Sequence, residues 1–180
     1  MSRIIVCGGN GAGKSTLGKA LGAALGIPFM DIEDYYFDKD NTEYDYTAAR
    51  TRDEVTKLLL NDMKRCCDCV LSSVKGNYGP DVEELFTHAV FINVPKDVRL
   101  QRVRERSYRK FGNRMLPDGD LYEKEEKFFA MVERRSDDGV AEWLNRLDIP
   151  TIKVDGTQMI EKSVAEIKVW LAAMESPEGK

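Results

Sequence analysis

The chain has 180 residues, 42% of them hydrophobic and 32% charged, with a formal net charge of −4. That length suits one domain with a substantial core and is short for two. The acidic balance disfavours nucleic acid and anionic membranes as partners, no stretch approaches the roughly 18 apolar residues of a membrane span, and the N-terminus does not read as a signal peptide, so a cytoplasmic protein is expected.

Arg3 to Cys7 reads as a buried strand. A glycine-rich stretch follows, and then a helix from Lys14 to Leu25 with Leu17, Leu21 and Leu25 on one face. Gly26 and Pro28 stop it, and Pro28 to Ile32 forms a second strand that runs into the acidic and aromatic segment Asp31 to Phe37. Residues 38–46 read as a polar loop. Thr47 to Arg65 is expected to be a helix with Val55, Leu58, Leu59 and Met63 inward. Cys69 to Ser73 is a third strand, and Asp81 to Phe86 a short helix. Ala89 to Val94 is a fourth strand, ended by Pro95, and Lys96 to Arg109 a charged helix.

Tyr108 to Asp120 carries Gly112, Pro117 and Gly119 among basic residues and reads as a mobile excursion. A long helix is expected from Glu123 to Leu147, with a break near 136–139. Thr151 to Val154 is a fifth strand, Ile160 to Met174 a last helix, and Glu175 to Lys180 a frayed tail. Strands that alternate with helices require crossover connections. The fold class is therefore α/β: three layers, with a five-stranded parallel sheet, helices on both faces and a basic lid. Ligands in such sheets bind beyond the carboxyl ends of the strands.

The stretch VCGGNGAGKST, residues 6–16, fits G-x-x-x-x-G-K-[ST] through Gly8, Gly13, Lys14 and Ser15. It stands between a strand and a helix, as the motif requires. Glycines let the backbone wrap an anion without Cβ clashes, and the amides of Gly8, Gly9, Asn10, Gly11, Ala12, Gly13, Lys14, Ser15 and Thr16 form the candidate nest for a triphosphate. The helix N-terminus adds to the favourable field. Lys14 is placed on the terminal phosphates and Ser15 on Mg²⁺, with ATP as the nucleotide.

Arg99, Arg102, Arg106 and Arg109 recur at three- and four-residue spacing and share a helical face next to that site. A solvated basic face would look the same, but guanidinium groups suit the charge of a transferring phosphoryl group. Here the chain resembles the nucleoside monophosphate kinase-like group of P-loop kinases, adenylate kinase above all, whose fourth strand is followed by VP-x-x-x-x-x-x-R-x-x-x-R. Val94 and Pro95 through Arg102 and Arg106 match it. The resemblance implies that Arg102 packs against the base and Arg106 contacts phosphates. RRSDD at 134–138 is similar to the family's R-x-D-D, which implies that Arg135 touches the transferring phosphate and that Asp137 and Asp138 are structural. VDGT at 154–157 looks like the family's loop beside adenine, which implies roles for Gly156 and Thr157. Residues 107–130 then occupy the place of a lid that excludes water.

The acceptor region, about 31–65, departs from adenylate kinase. Its G-D-x-x-R and D-G-F-P-R phrases are absent, so the arginine clamp for AMP is missing. Asp31-Ile32-Glu33 looks like the D-x-D of shikimate kinase, and Glu33-Asp34-Tyr35-Tyr36 is similar to the D-D-[FY]-[FY] of uridine and nicotinamide riboside kinases. Both resemblances imply a carboxylate that takes a proton from an acceptor hydroxyl. If residues 30–34 stay extended, Asp31 and Glu33 face one way and Asp34 the other. Asp34 is taken as the base and Asp31 as a metal-shell residue beside Ser15, since no carboxylate closes the third strand. Tyr35, Tyr36 and Phe37 form either an apolar wall for a ring or core, and Lys75 and Tyr78 are candidates for the acceptor pocket.

The four cysteines, Cys7, Cys66, Cys67 and Cys69, lack paired zinc spacing and read as reduced thiols, and the lone His88 as a capping or surface residue. The expected activity is ATP-dependent transfer to a hydroxyl of a small metabolite, catalysed by Lys14, Asp34, Arg106 and Arg135, in a monomer or homodimer. A nucleoside or nucleotide kinase of the same group is one alternative. A nucleotide-dependent switch and a nucleic-acid end kinase are the others.

Overall fold

The computed structural model describes residues 1–37, 49–136 and 138–175. The loop expected over 38–46, the expected helix start at Thr47, Asp137 and the tail from 176 onward lie outside the described residues.

Among the described residues, five strands form one parallel sheet in the order β2-β3-β1-β4-β5: β1 Arg3–Cys7, β2 Phe29–Asp31, β3 Cys69–Ser72, β4 His88–Asn93 and β5 Thr151–Asp155. Each expected strand is present, with ends displaced by a residue or two. The order changes direction at β1, so the chain crosses to opposite sides after β1 and after β3. A crevice opens at that switch point, at the carboxyl end of β1, where the glycine stretch lies.

β1 is buried along its whole length. Its alternation sends Ile4 and Val6 to one face and Ile5 and Cys7 to the other. On the first face they meet Leu17 and Leu21 of α1 (Lys14–Leu25) and Ile167 and Leu171 of α8 (Ile160–Glu175). On the second they meet Val55, Leu59 and Met63 of α3 (Arg52–Arg65) and Val140, Trp143 and Leu144 of α7 (Asp138–Arg146). The three layers thus follow from period-2 burial in the strands and one apolar stripe per helix. Each such buried side chain contributes about 1.5–3 kcal/mol relative to exposure.

Four segments differ from expectation. A helix, α2 (Ile32–Tyr36), begins where an extended chain was expected, because the Asp31 side chain caps it by accepting from the Glu33 amide at 3.1 Å. α3 begins at Arg52, five residues late, because Thr51 and Glu54 form a reciprocal capping box. The helix after the loop that follows β3, α4, is only Pro80–Glu83. The helix expected over 123–147 is two, α6 (Tyr122–Arg134) and α7, parted after Arg134 where a break near 136–139 was expected. Between α5 (Lys96–Phe111) and α6 the expected excursion is a 3₁₀ turn, Gly112–Met115, whose return is closed by the Leu121 amide donating to the Arg114 carbonyl at 2.9 Å. Val103 of α5 and Phe129 and Val132 of α6 form a small separate core beneath it. No described helix is long and apolar enough to cross a membrane.

Candidate active site

The glycine stretch becomes the loop from β1 into α1. Gly13 caps α1 in the left-handed region, φ 94°, which a side-chain-bearing residue adopts only with strain. Gly11, φ 81°, lies so close to the Arg99 carbonyl that a Cβ would overlap it. The loop is braced from α5: Arg99 is buried, its Nε donates to the Val94 carbonyl at 3.1 Å, and its Nη1 donates to the Asn10 carbonyl at 3.3 Å. Arg99 is therefore a strut for the loop, although the helical face it shares with Arg102 and Arg106 made it look like one more exposed cation.

Lys14 donates from Nζ to the Gly9 carbonyl at 3.0 Å, so the ammonium bends back over the loop. Burial pushes it down to about 8, opposed by Glu33 and then by Asp31, while Arg106 pushes the same way as burial. Ser15 Oγ lies 3.4 Å from Ser72 Oγ at the end of β3. Lys14, Ser15, Asp31, Glu33, Ser72, Arg102 and Arg106 line one cleft of about 260 Å³.

α2 decides which acid faces that cleft. One turn of helix places Ile32 and Glu33 beside Asp31 on the cleft wall, and Asp34 is not among its lining residues. The condition that residues 30–34 stay extended is not met: the strand ends at Asp31 and the helix starts at Ile32. Glu33 also lines the two neighbouring clefts, so it stands where all three meet.

A second cleft, about 330 Å³, opens between α1 and the start of α8 and is lined by Arg102, Gly156, Gln158, Met159 and Ile160 among others. Arg102 Nη1 donates to the Gly156 carbonyl at 3.0 Å. Gly156 has no room for a methyl group: a Cβ would overlap Ile92 Cγ2 and stand 2.5 Å from Val94 Cγ2. Thr157 does not line this cleft. Its amide and hydroxyl both turn to Asp155 Oδ1, at 2.8 and 2.7 Å, closing the turn after β5.

On the other side lies a cleft of about 630 Å³, lined by Tyr36, Phe37, Ser73, Lys75, Tyr78, Phe128 and Arg135 among others. Tyr36, Phe37, Lys75 and Tyr78 thus reach the side expected for an acceptor. Tyr35 does not: its hydroxyl donates to Asp62 Oδ2 at 3.0 Å, and burial, then that bond, push it upward. Arg135 Nη1 donates to Asn10 Oδ1 at 3.1 Å, across the mouth of the phosphate loop. A fourth space, of about 550 Å³, continues between α5 and α6 from Glu33 and Arg106 to Lys110, Phe111, Lys124, Lys127 and Phe128. Ser72, Ser73 and Gln158 were not singled out from the sequence. Hydroxyls ending a strand and an amide after a turn carry no local signature.

The cysteines are free thiols; burial holds the Cys7 thiol up at about 12, beyond useful nucleophilicity. His88 Nδ1 lies 2.9 Å from Thr87 Oγ1 and its ring stacks edge-on to Trp170, remote from the clefts. Among the described residues no group of three or more His, Cys, Asp or Glu could hold a metal. The oxygens of Ser15, Ser72 and Asp31 in one cleft do fit Mg²⁺, a hard cation that keeps waters and shares phosphate oxygens instead of filling a protein cage.

Solved structures share this arrangement. The solved shikimate kinase from Bacteroides thetaiotaomicron superposes with a TM-score of 0.60 at 22% identity, covering 95% of this chain and 98% of that one. A gluconokinase from Sinorhizobium meliloti 1021 gives 0.57 at 19% identity, covering 97% and 98%. These likenesses establish the fold of a P-loop kinase. In sequence, the uncharacterized protein YqaC of Bacillus subtilis (strain 168) is 30% identical over 179 residues, 94% of this chain and 97% of its own. The AAA domain family matches residues 4–129, from β1 into α6, and the chain belongs to that family.

Proposed function

We propose that the protein is a kinase that transfers the γ-phosphoryl group of ATP·Mg²⁺ to a hydroxyl of a small acceptor. The observation that carries this reading is that Lys14 and Glu33 line one cleft, with a nucleotide-sized pocket on one side and an acceptor-sized pocket on the other. The likeness of fold to gluconokinase and shikimate kinase supports it. The base of the nucleotide lies against Arg102 and Gly156, and its phosphates lie in the amides of residues 8–16. Ser15 and Asp31, with Ser72, would hold Mg²⁺, which would neutralise charge on the phosphate oxygens.

Glu33 takes the role first given to Asp34. It accepts the acceptor's hydroxyl proton as that oxygen bonds to the γ-phosphorus and the bond to the bridging oxygen breaks, leaving ADP. Lys14, Arg106 and Arg135 stabilise the charge that builds on the phosphoryl oxygens. Tyr36, Phe37 and Tyr78 supply a wall for a ring, and Lys75 and Arg135 supply positive charge, so the acceptor is a hydroxylated ring compound with an anionic group. Residues 107–130 close over the reaction and keep water from the phosphoryl group.

An ADP-release assay over a panel of nucleosides, nucleotides, and sugar and cyclic acids tests this. Stimulation by at least one compound is expected. Turnover that no acceptor alters would instead make the protein a nucleotide-dependent switch.

A further inference from the structure

We propose that Asn10 is the positioning residue for Arg135: its side-chain oxygen holds the guanidinium across the phosphate loop, ready for the transferring group. The proposal rests on the kinase reading for the role of Arg135 but on geometry for the tie itself.

Arg135 is exposed at the end of α6, where its amide bonds the Val132 carbonyl. A free arginine there would be spread over many rotamers, with about 2 kcal/mol of side-chain entropy to lose on each productive encounter. The 3.1 Å bond from Nη1 to Asn10 Oδ1 removes much of that freedom beforehand. Among the described residues, one guanidinium nitrogen has a partner, and the other donors remain for phosphate.

Asn10 can do this because its own backbone is fixed. Buried Arg99 donates to its carbonyl, and the Arg99 carbonyl presses on Gly11. A continuous path therefore runs from α5 through Arg99 and Asn10 to Arg135, joining the helix before the lid to the residue just after it. Asn10 lines the phosphate cleft, the acceptor cleft and the space under the lid, whereas Arg135 lines only the acceptor cleft, so the bond ties a residue of that cleft to the residue that all three share. The residue type is informative. An amide accepts the bond without charge, whereas a carboxylate there would hold Arg135 more firmly but repel the polyphosphate.

The test pairs two readouts. Limited trypsin cleavage after Arg134 and Arg135 reports the tie without any activity. Steady-state kinetics and nucleotide binding report its use. Asn10→Ala should speed cleavage at that site several-fold and lower kcat by about tenfold, a larger loss than any it causes in the Kd for ATP·Mg²⁺. Arg135→Ala should lower kcat at least as much, and the double variant should match Arg135→Ala alone, because the two residues act as one unit. Asn10→Asp should restore resistance to trypsin and weaken ATP·Mg²⁺ binding. Unchanged cleavage in Asn10→Ala, or additive losses in the double variant, would overturn the proposal. If the wild-type protein transfers phosphate to nothing, the kinase reading fails and Arg135 loses its role in transfer, while the cleavage rates still decide whether Asn10 holds it.

Discussion

The Lys14 ammonium and the Glu33 carboxylate line the same cleft, and Glu33 is the strongest charge acting on that ammonium. Asp34, one residue on, does not line it. Glu33→Gln should therefore cut phosphoryl transfer by roughly 100-fold or more, the scale of a lost general base, while ATP·Mg²⁺ binding survives. Asp34→Asn should keep transfer within a few-fold of wild type. Steady-state rates of the two variants, side by side, decide between the acids.

The lowered Lys14 value sets a pH dependence. With the ammonium at about 8 in the free protein, bringing a triphosphate beside it favours the charged form. Binding at pH 6.5 should take up almost no proton through this group, and binding at pH 9 should take up nearly one. ATP·Mg²⁺ affinity should fall as pH rises through 8, by at most about tenfold per unit. Calorimetry in two buffers of different ionisation heat measures the uptake directly. Stability has the opposite sign. Between 8 and the ordinary lysine value of 10.5 the unfolded chain holds the proton and the native state does not, so this group's burial cost fades as pH rises. Lys14→Met should abolish transfer yet raise thermal stability below pH 8.

Gly156 packs against Ile92 and Val94 and carries the carbonyl that receives Arg102. Gly156→Ala forces those side chains apart. Overpacking of this kind costs about 1–3 kcal/mol. The variant should melt earlier and show a raised KM for ATP, with the KM for acceptor unchanged.

Thr51 and Glu54 close the first turn of α3, and neither lines the phosphate cleft. Thr51→Ala should destabilise the fold by about 1 kcal/mol in denaturant titration and leave ATP·Mg²⁺ binding unaltered. A loss of binding would mean that α3 is coupled to the nucleotide site.

The layers and the phosphate loop were legible in the sequence because both rest on short-range rules. Burial alternates every two residues in β1, and the spacing of Gly8, Gly13, Lys14 and Ser15 fixes a backbone shape. The orientation of the acidic run was left open, and the helix that sets it was not anticipated. Asp31 was weighed as a metal ligand, and its capacity to cap a helix beginning at Ile32 was overlooked, although an Asp followed by two acids in a first turn is a helix-start signal. Thr157 was placed beside the base by family likeness, but Asp155 captures it in a turn that the Asp-Gly-Thr order permits. Arg99 and the Asn10–Arg135 bond had no sequence signal. They join positions far apart in the chain, and only the packing of α5 and the end of α6 against the loop brings them together.

The most direct measurement is ³¹P NMR of the protein with ATP·Mg²⁺ and the acceptor panel. The account expects a new phosphate-ester resonance with one class of acceptor, absent in Lys14→Ala and strongly slowed in Glu33→Gln. Release of inorganic phosphate alone, at the same rate with every acceptor and with Glu33→Gln, would contradict it.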